Sequence, residues 1–196
     1  MAHSRRDRYF QVMKLLVTLL FIGSTTVAQN PCEDFLQLMG RTDNSEQLQS
    51  FRSDCGPFEE SVSSDKASKT WLCKERGVEI TFTKDVSSKS APEEYSVTTI
   101  TITTASSEGG YAGKLPFGFE KDMTYKMAKN HIKASENLTY DRSDLGIDRS
   151  YTYYTGPIND ASEGKRIRVY LAQYRGRNIA TLRMQLRQST VLRLVA

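Results

Sequence analysis

The sequence predicts an α+β protein of two similar modules. Each has one or two short helices followed by an antiparallel meander of three or more strands, with the two sheets either separate or fused into one. Three observations carry this reading. Helix-start signals occur twice, near residues 31–46 and 122–124. After each, apolar and polar residues alternate at period two, the signature of half-buried strands. Between the two runs, Ala105–Gly113 is rich in Ser and Gly and reads as a linker.

The first helix opens at Pro31-Cys32-Glu33-Asp34, where proline and acids suit a first turn. Phe35, Leu36 and Met39 give it an apolar side and Gly40 ends it. Ser45 caps a second helix with Leu48 and Phe51 inward, stopped by Gly56-Pro57. Strand patterns follow over Lys69–Arg76, over Val78, Ile80 and Phe82, and over Val97–Thr104 with Ile100 and Ile102 inward, after a polar loop at Ser87–Glu94. In the second half, Asp122-Met123-Thr124 opens a helix through Ile132, with Met127 and Ile132 expected inward. A polar segment, Lys133–Arg149, precedes strands at Ser150–Thr155, Arg166–Tyr174 and Asn178–Arg187. Trp71 then parallels Tyr153, Val78-Glu79-Ile80 parallels Val169-Tyr170-Leu171, and Ile100-Thr101-Ile102 parallels Leu182-Arg183-Met184. The expected boundaries are a signal peptide 1–28, an N-terminal module 29–104, a linker 105–114, a C-terminal module 115–190 and a tail 191–196.

The N-terminus orders its residues as an export signal. Arg5, Arg6, Arg8 and Lys14 precede the apolar run Leu15–Ile22, whose eight residues fall well short of the roughly 20 that span a bilayer. The small-residue pattern Thr26-Val27-Ala28 follows, so cleavage is expected after Ala28, leaving Gln29 first. The whole chain carries a formal charge of +4. Most of that belongs to the signal, and residues 29–196 sum to +1, which gives no argument for nucleic acid. The expected location is periplasmic or secreted, with no transmembrane segment. Translation could start at Met1 or at Met13.

Beyond the signal one histidine remains, His131. This excludes multi-histidine metal sites and argues against a Ser-His-Asp hydrolase. A partly buried, satisfied histidine is the expected role. No Gly-rich phosphate loop is present, so no cofactor or metal is expected. Cys32, Cys55 and Cys73 allow three pairings. Two short helices joined by a tight loop run antiparallel, which places Cys32 near Cys55 and favours that pair in an oxidising compartment.

The run Leu115-Pro116-Phe117-Gly118-Phe119, followed by Asp122-Met123-Thr124 and a short helix, resembles the opening of modules in small outer-membrane assembly lipoproteins. Helices followed by a meander, in two copies, also resemble the secreted β-lactamase inhibitor proteins. The resemblance would cover residues 32–187. It implies protein–protein binding without catalysis. Such modules usually close the helix with Leu-Gly-x-Pro, whereas Leu145-Gly146 is followed here by Ile147-Asp148.

The sharpest asymmetry lies at the C-terminal end. Residues 165–196 hold Lys165 and seven arginines with no acid, while residues 29–164 sum to −7. Strand phase sorts these charges. Ile167, Val169 and Leu171 face one way; Arg166, Arg168, Tyr170 and Tyr174 face the other. Leu182 and Met184 face the core; Arg183 and Arg187 face out. Arg and Tyr are enriched at interface hot spots, so these six residues form the candidate binding face for an acidic protein surface. The bland alternative is a solvated sheet face that discourages edge pairing. The expected function is an exported, non-catalytic binding protein; the alternative is an envelope hydrolase with an unrecognised carboxylate site.

Overall fold

The computed structural model describes residues 34–84, 94–104, 110–140, 149–160, 165–174 and 178–188, all within one compact unit, Pro31–Ala196. Its elements are helices α1 (Phe35–Leu38), α2 (Glu46–Cys55) and α3 (Tyr125–Ala134) and strands β1 (Glu59–Val62), β2 (Ser68–Cys73), β3 (Val78–Lys84), β4 (Tyr95–Thr103), β5 (Leu138–Tyr140), β6 (Arg149–Tyr154), β7 (Lys165–Tyr174) and β8 (Asn178–Gln188). The strands make one antiparallel sheet in the order β1-β2-β3-β4-β8-β7-β6-β5. This is an α+β fold dominated by its sheet. Each half is a meander of four strands, and the halves meet through their last strands.

That central seam pairs Ile100 with Met184, Thr101 with Arg183 and Ile102 with Leu182. The alternating residues of β2, β3, β4, β7 and β8 bury one face of the sheet: Trp71, Ile80, Phe82, Ile100, Ile102, Ile167, Val169, Leu182 and Met184 are at most 1% exposed. The core side chains of all three helices join the same cluster. An aromatic chain links α1 and α2 to the sheet, from Phe35 to Phe51 at 5.8 Å, then Phe58, Trp71 at 6.3 Å and Phe82 at 4.7 Å. Edge-to-face geometry of this kind adds to simple area burial.

Polar groups fasten the helices to this sheet. Asn159 donates from Nδ2 to the carbonyls of Leu36, Gln37 and Met39 at 2.9–3.1 Å. One amide from the β6–β7 connection thus adds a donor at the end of α1, where the Leu36 carbonyl also accepts from the Met39 N–H and the Gln37 carbonyl from Arg41 Nε, and Arg41 pairs with Asp160 at 2.6 Å beside it. Buried Lys69 is matched by Asp43 and lies over the rings of Trp71, Phe82 and Tyr95. Gln173 donates to the Met123 carbonyl at 2.7 Å. The β2–β3 turn needs glycine: Gly77 has φ +61, and a Cβ there would come within 2.3 Å of the Thr103 carbonyl.

Several expectations change. The first helix is a single turn, Phe35–Leu38. Ser45 occupies the N-cap of α2, but its side chain makes no capping bond. Met127 is 48% exposed, not inward. Helix α3 turns Ala128 and Ile132 to the core, the i, i+4 pair that places one residue above the other. The segment Lys133–Arg149 contains β5. Tyr111, in the expected linker, is 5% exposed and meets Phe35 at 5.5 Å. Tyr153 does not take the place of Trp71: Trp71 is in the core and Tyr153 lies on the other face, opposite Arg168. Cys73 is a buried free thiol and Cys55 is buried at the end of α2. Cys32 lies outside the described residues, as do the signal-peptide residues and the tail.

The Asn159 clamp is the test of how α1 is held. Replacing Asn159 with Ala removes the amide that these three carbonyls share and should lower stability by about 1–3 kcal/mol. Urea unfolding of the variant should show this shift, while a surface control such as Lys133→Ala should stay within about 0.5 kcal/mol.

Candidate binding face

Among the described residues the helices lie on one side of the sheet, and strand alternation decides what stands on the other. The registers place Glu59, Leu72, Glu79, Thr101, Arg183, Tyr170 and Tyr151 in one cross-sheet row. The next row runs Ser61, Thr70, Thr81, Thr99, Gln185, Arg168, Tyr153 and Thr139. The open face is therefore graded. Threonines fill its middle, arginine and tyrosine fill the β6–β8 flank, and Glu59 and Glu79 stand on the opposite flank around Leu72. Shallow hollows border Leu72 there, one lined by Lys74, Glu79, Thr101 and Thr103. Glu59 is engaged by Lys74 at 3.2 Å.

Arg166, Arg168, Tyr170, Arg183 and Arg187 all lie on this face, as their strand phase predicts. Arg166, Arg183 and Arg187 are exposed, and Arg168 and Tyr170 are half-buried. The backbone of Tyr174 pairs with Asn178; its side chain lies outside the described residues. Tyr151 and Tyr153 of β6 belong to the same cluster and escape a hydropathy reading. On β6 the polar residues go inward, with Ser150 at 5% and Thr152 at 0% exposure, and the tyrosines go outward. Thr152 is satisfied there because its Oγ1 donates to the Thr139 carbonyl at 2.7 Å.

The arginines are not splayed into solvent. The Arg168 guanidinium lies 4.0 Å from the centroid of the Tyr151 ring. Arg166 lies 5.3 Å from Tyr153 and Arg183 lies 5.3 Å from Tyr170. Tyr151 and Tyr170 are themselves packed at 4.9 Å. Each of these three guanidinium groups therefore rests on a ring of a neighbouring strand, the cation–π arrangement; Arg166 and Arg183 are exposed side chains, whereas the Arg168 Nε is buried. Among the described residues, Arg166, Arg183 and Arg187 form no ion pair. Arg166 and Arg187 are direct cross-strand neighbours, a like-charge pairing that works against the sheet. Glu79 stands two strands from Arg183, about 10 Å away, a separation at which exposed charges are largely screened.

His131 is half-buried; its Nε2–H donates to the Phe117 carbonyl at 2.8 Å and its ring meets Phe119 at 5.0 Å. No group of three His, Cys, Asp or Glu side chains able to hold a metal occurs among the described residues. Among them, no helix is long and apolar enough to cross a membrane. No family model, curated protein or solved structure matches the chain, so this face is read from its own chemistry.

The Arg166–Arg187 pairing generates a stability test. Arg187→Glu turns a like-charge neighbour into an opposite-charge one and should raise stability by about 0.2–1 kcal/mol. Thermal unfolding at low salt should show a higher midpoint than wild type, and the gain should shrink in 0.5 M NaCl. A lower midpoint at low salt would mean that Arg187 is already neutralised within the molecule.

Proposed function

We propose that this chain is an exported, non-catalytic binding protein that recognises an acidic surface of another protein through the β6–β8 flank of its open sheet face. The observation that carries this reading is a cluster of arginines on one sheet face, of which Arg166 and Arg183 are exposed and each lies over a tyrosine ring. Carboxylates suit the planar, two-pronged guanidinium. Tyrosine adds contact area at low entropic cost. A like-charge pair retained at some cost to the fold is the kind of local conflict that binding sites tolerate.

Export follows from the basic, apolar and small-residue order of residues 5–28. The disulfide proposed for that compartment joins Cys32 and Cys55. Its support is that Cys73 is a buried free thiol and that Cys55 ends a helix only a short loop from α1. Closing that loop would contribute about 3 kcal/mol on the chain-entropy argument. We also propose that the two meanders are a duplicated module. Their mirrored strand order supports this, as does the pairing of Ile100-Thr101-Ile102 with Leu182-Arg183-Met184, the segments expected to be equivalent.

The binding reading is tested by capture. The chain from Gln29 onward, immobilised, should retain an acidic protein from cell-envelope extract and release it as salt rises from about 0.05 to 0.5 M, because such contacts are screened. The double variant Arg166→Glu/Arg183→Glu should lose the capture while unfolding at nearly the wild-type temperature. Undiminished capture by a folded double variant would overturn the reading. Mass spectrometry of the exported protein, digested without reduction, should give Gln29 as the first residue and a peptide linking Cys32 to Cys55. An intact N-terminus in the envelope fraction, or Cys55 linked to Cys73, would contradict these assignments.

A further inference from the structure

We infer that Arg166 and Arg187 together form a clamp for one doubly charged oxyanion, a phosphate monoester carried by the partner protein. The inference rests on the proposed binding role of this flank and names the group that its anchor takes.

The β7–β8 register sets the two arginines directly opposite each other, and both side chains are exposed. Opposed residues of an antiparallel pair hold their Cβ atoms about 5 Å apart. Two outward guanidinium groups on such stems can meet at one anion. The acids do not neutralise them: ion pairs among the described residues engage Arg41, Arg52, Lys69 and Lys74 instead.

Charge count then selects the ligand. A carboxylate, a sulfate ester and a nucleic-acid backbone phosphate each bring a single negative charge, which leaves one positive charge of the pair unmatched. A phosphate monoester carries close to two at neutral pH, on three acceptor oxygens. It can take charge-assisted bonds from both guanidinium forks, and one group then relieves the repulsion between the opposed arginines. The clamp stands on an exposed sheet face, so a phosphate carried by a longer chain gains from contacts beyond it. Arg183 supplies one. It is exposed on the same strand, four residues back from Arg187 and about 13 Å away, within reach of a carboxylate on the same segment. The occupant is thus an acidic protein segment with a phosphorylated side chain at the clamp and an Asp or Glu further along.

The test is calorimetry on the chain from Gln29 onward with two synthetic decapeptides. Both alternate Glu and Thr, and they differ at one central position, phosphoserine in one and Glu in the other. Near pH 7.5 the phosphoserine peptide should bind about five- to tenfold tighter, the effect of a charge-assisted contact reduced by exposure. Near pH 5, below the second phosphate pKa of about 6, that lead should shrink to about twofold. Arg166→Gln and Arg187→Gln should each abolish the lead, hold the Glu peptide to within about threefold, and unfold at no lower a temperature than wild type, because the like-charge pair is gone. Arg183→Gln should weaken both peptides and keep the lead. Glycerol 3-phosphate, the same monoester without an acidic segment, should bind at least about tenfold more weakly than the phosphoserine peptide, since it lacks the contact at Arg183. Binding of the Glu peptide with no phosphoserine lead, or a lead that survives either clamp variant or the lower pH, would overturn the clamp. Glycerol 3-phosphate as tight as the peptide would overturn the protein carrier. Failure of the wild type to bind either peptide would overturn the acidic-surface reading beneath both.

Discussion

The structure depends on the pairing of β4 with β8. Without it the chain would be two small meanders, each exposing a long apolar edge strand, a configuration that invites aggregation. With it, Ile100, Ile102, Leu182 and Met184 lie side by side at the centre of one core. Because strand side chains alternate strictly, that same pairing lifts Thr101 and Arg183 to the opposite face. A one-residue slip at the seam would bury Arg183 and expose Leu182. Burial of the core thus fixes the position of every residue on the open face.

The helices cover only one side of the sheet, and the consequences differ along it. At the β1–β3 end, polar anchors lock helix to sheet: Glu60 accepts from Trp71 Nε1 at 2.9 Å, and Arg52 lies 4.6 Å over the same indole. At the β6–β8 end, aromatic and cationic groups are spent outward instead. Tyrosines that would add to a core stand under arginines. On the inner side of β6, beside the partly buried Tyr154, stand Ser150 and Thr152, which contribute little apolar burial. That exchange moves large side chains from the stabilising face to the one available to a partner.

Much of this was legible in the sequence. Period-two alternation gave β2, β3, β4, β7 and β8 and the facing of Arg166, Arg168, Tyr170, Arg183 and Arg187, because their apolar neighbours alternate without interruption. It failed where the alternation carries no hydropathy contrast. Strand β1 is exposed on all four residues and is held by its backbone and by Glu60. Strand β5 is three residues long, inside a polar stretch. On β6 the contrast is inverted, with Ser150 and Thr152 inward and Tyr151 and Tyr153 outward, so hydropathy does not assign its faces. Met127 was misplaced because two phases fit a ten-residue helix, and packing chose the one through Ala128 and Ile132. Which arginine rests on which ring depends on diagonal neighbours across strands distant in sequence, and single-strand patterns carry no such information.

The central claim is that the arginine face is open in the free protein and is covered by acidic groups of a partner. Arginine labelling with phenylglyoxal, mapped by peptide mass, addresses it most directly. In the free chain Arg166, Arg183 and Arg187 should label at rates near those of an unfolded control. An excess of a synthetic peptide alternating Glu and Thr should protect them, while exposed Arg76, at the β2–β3 turn, continues to react. Slow labelling of the three in the free protein, or labelling unchanged by the peptide, would contradict the account.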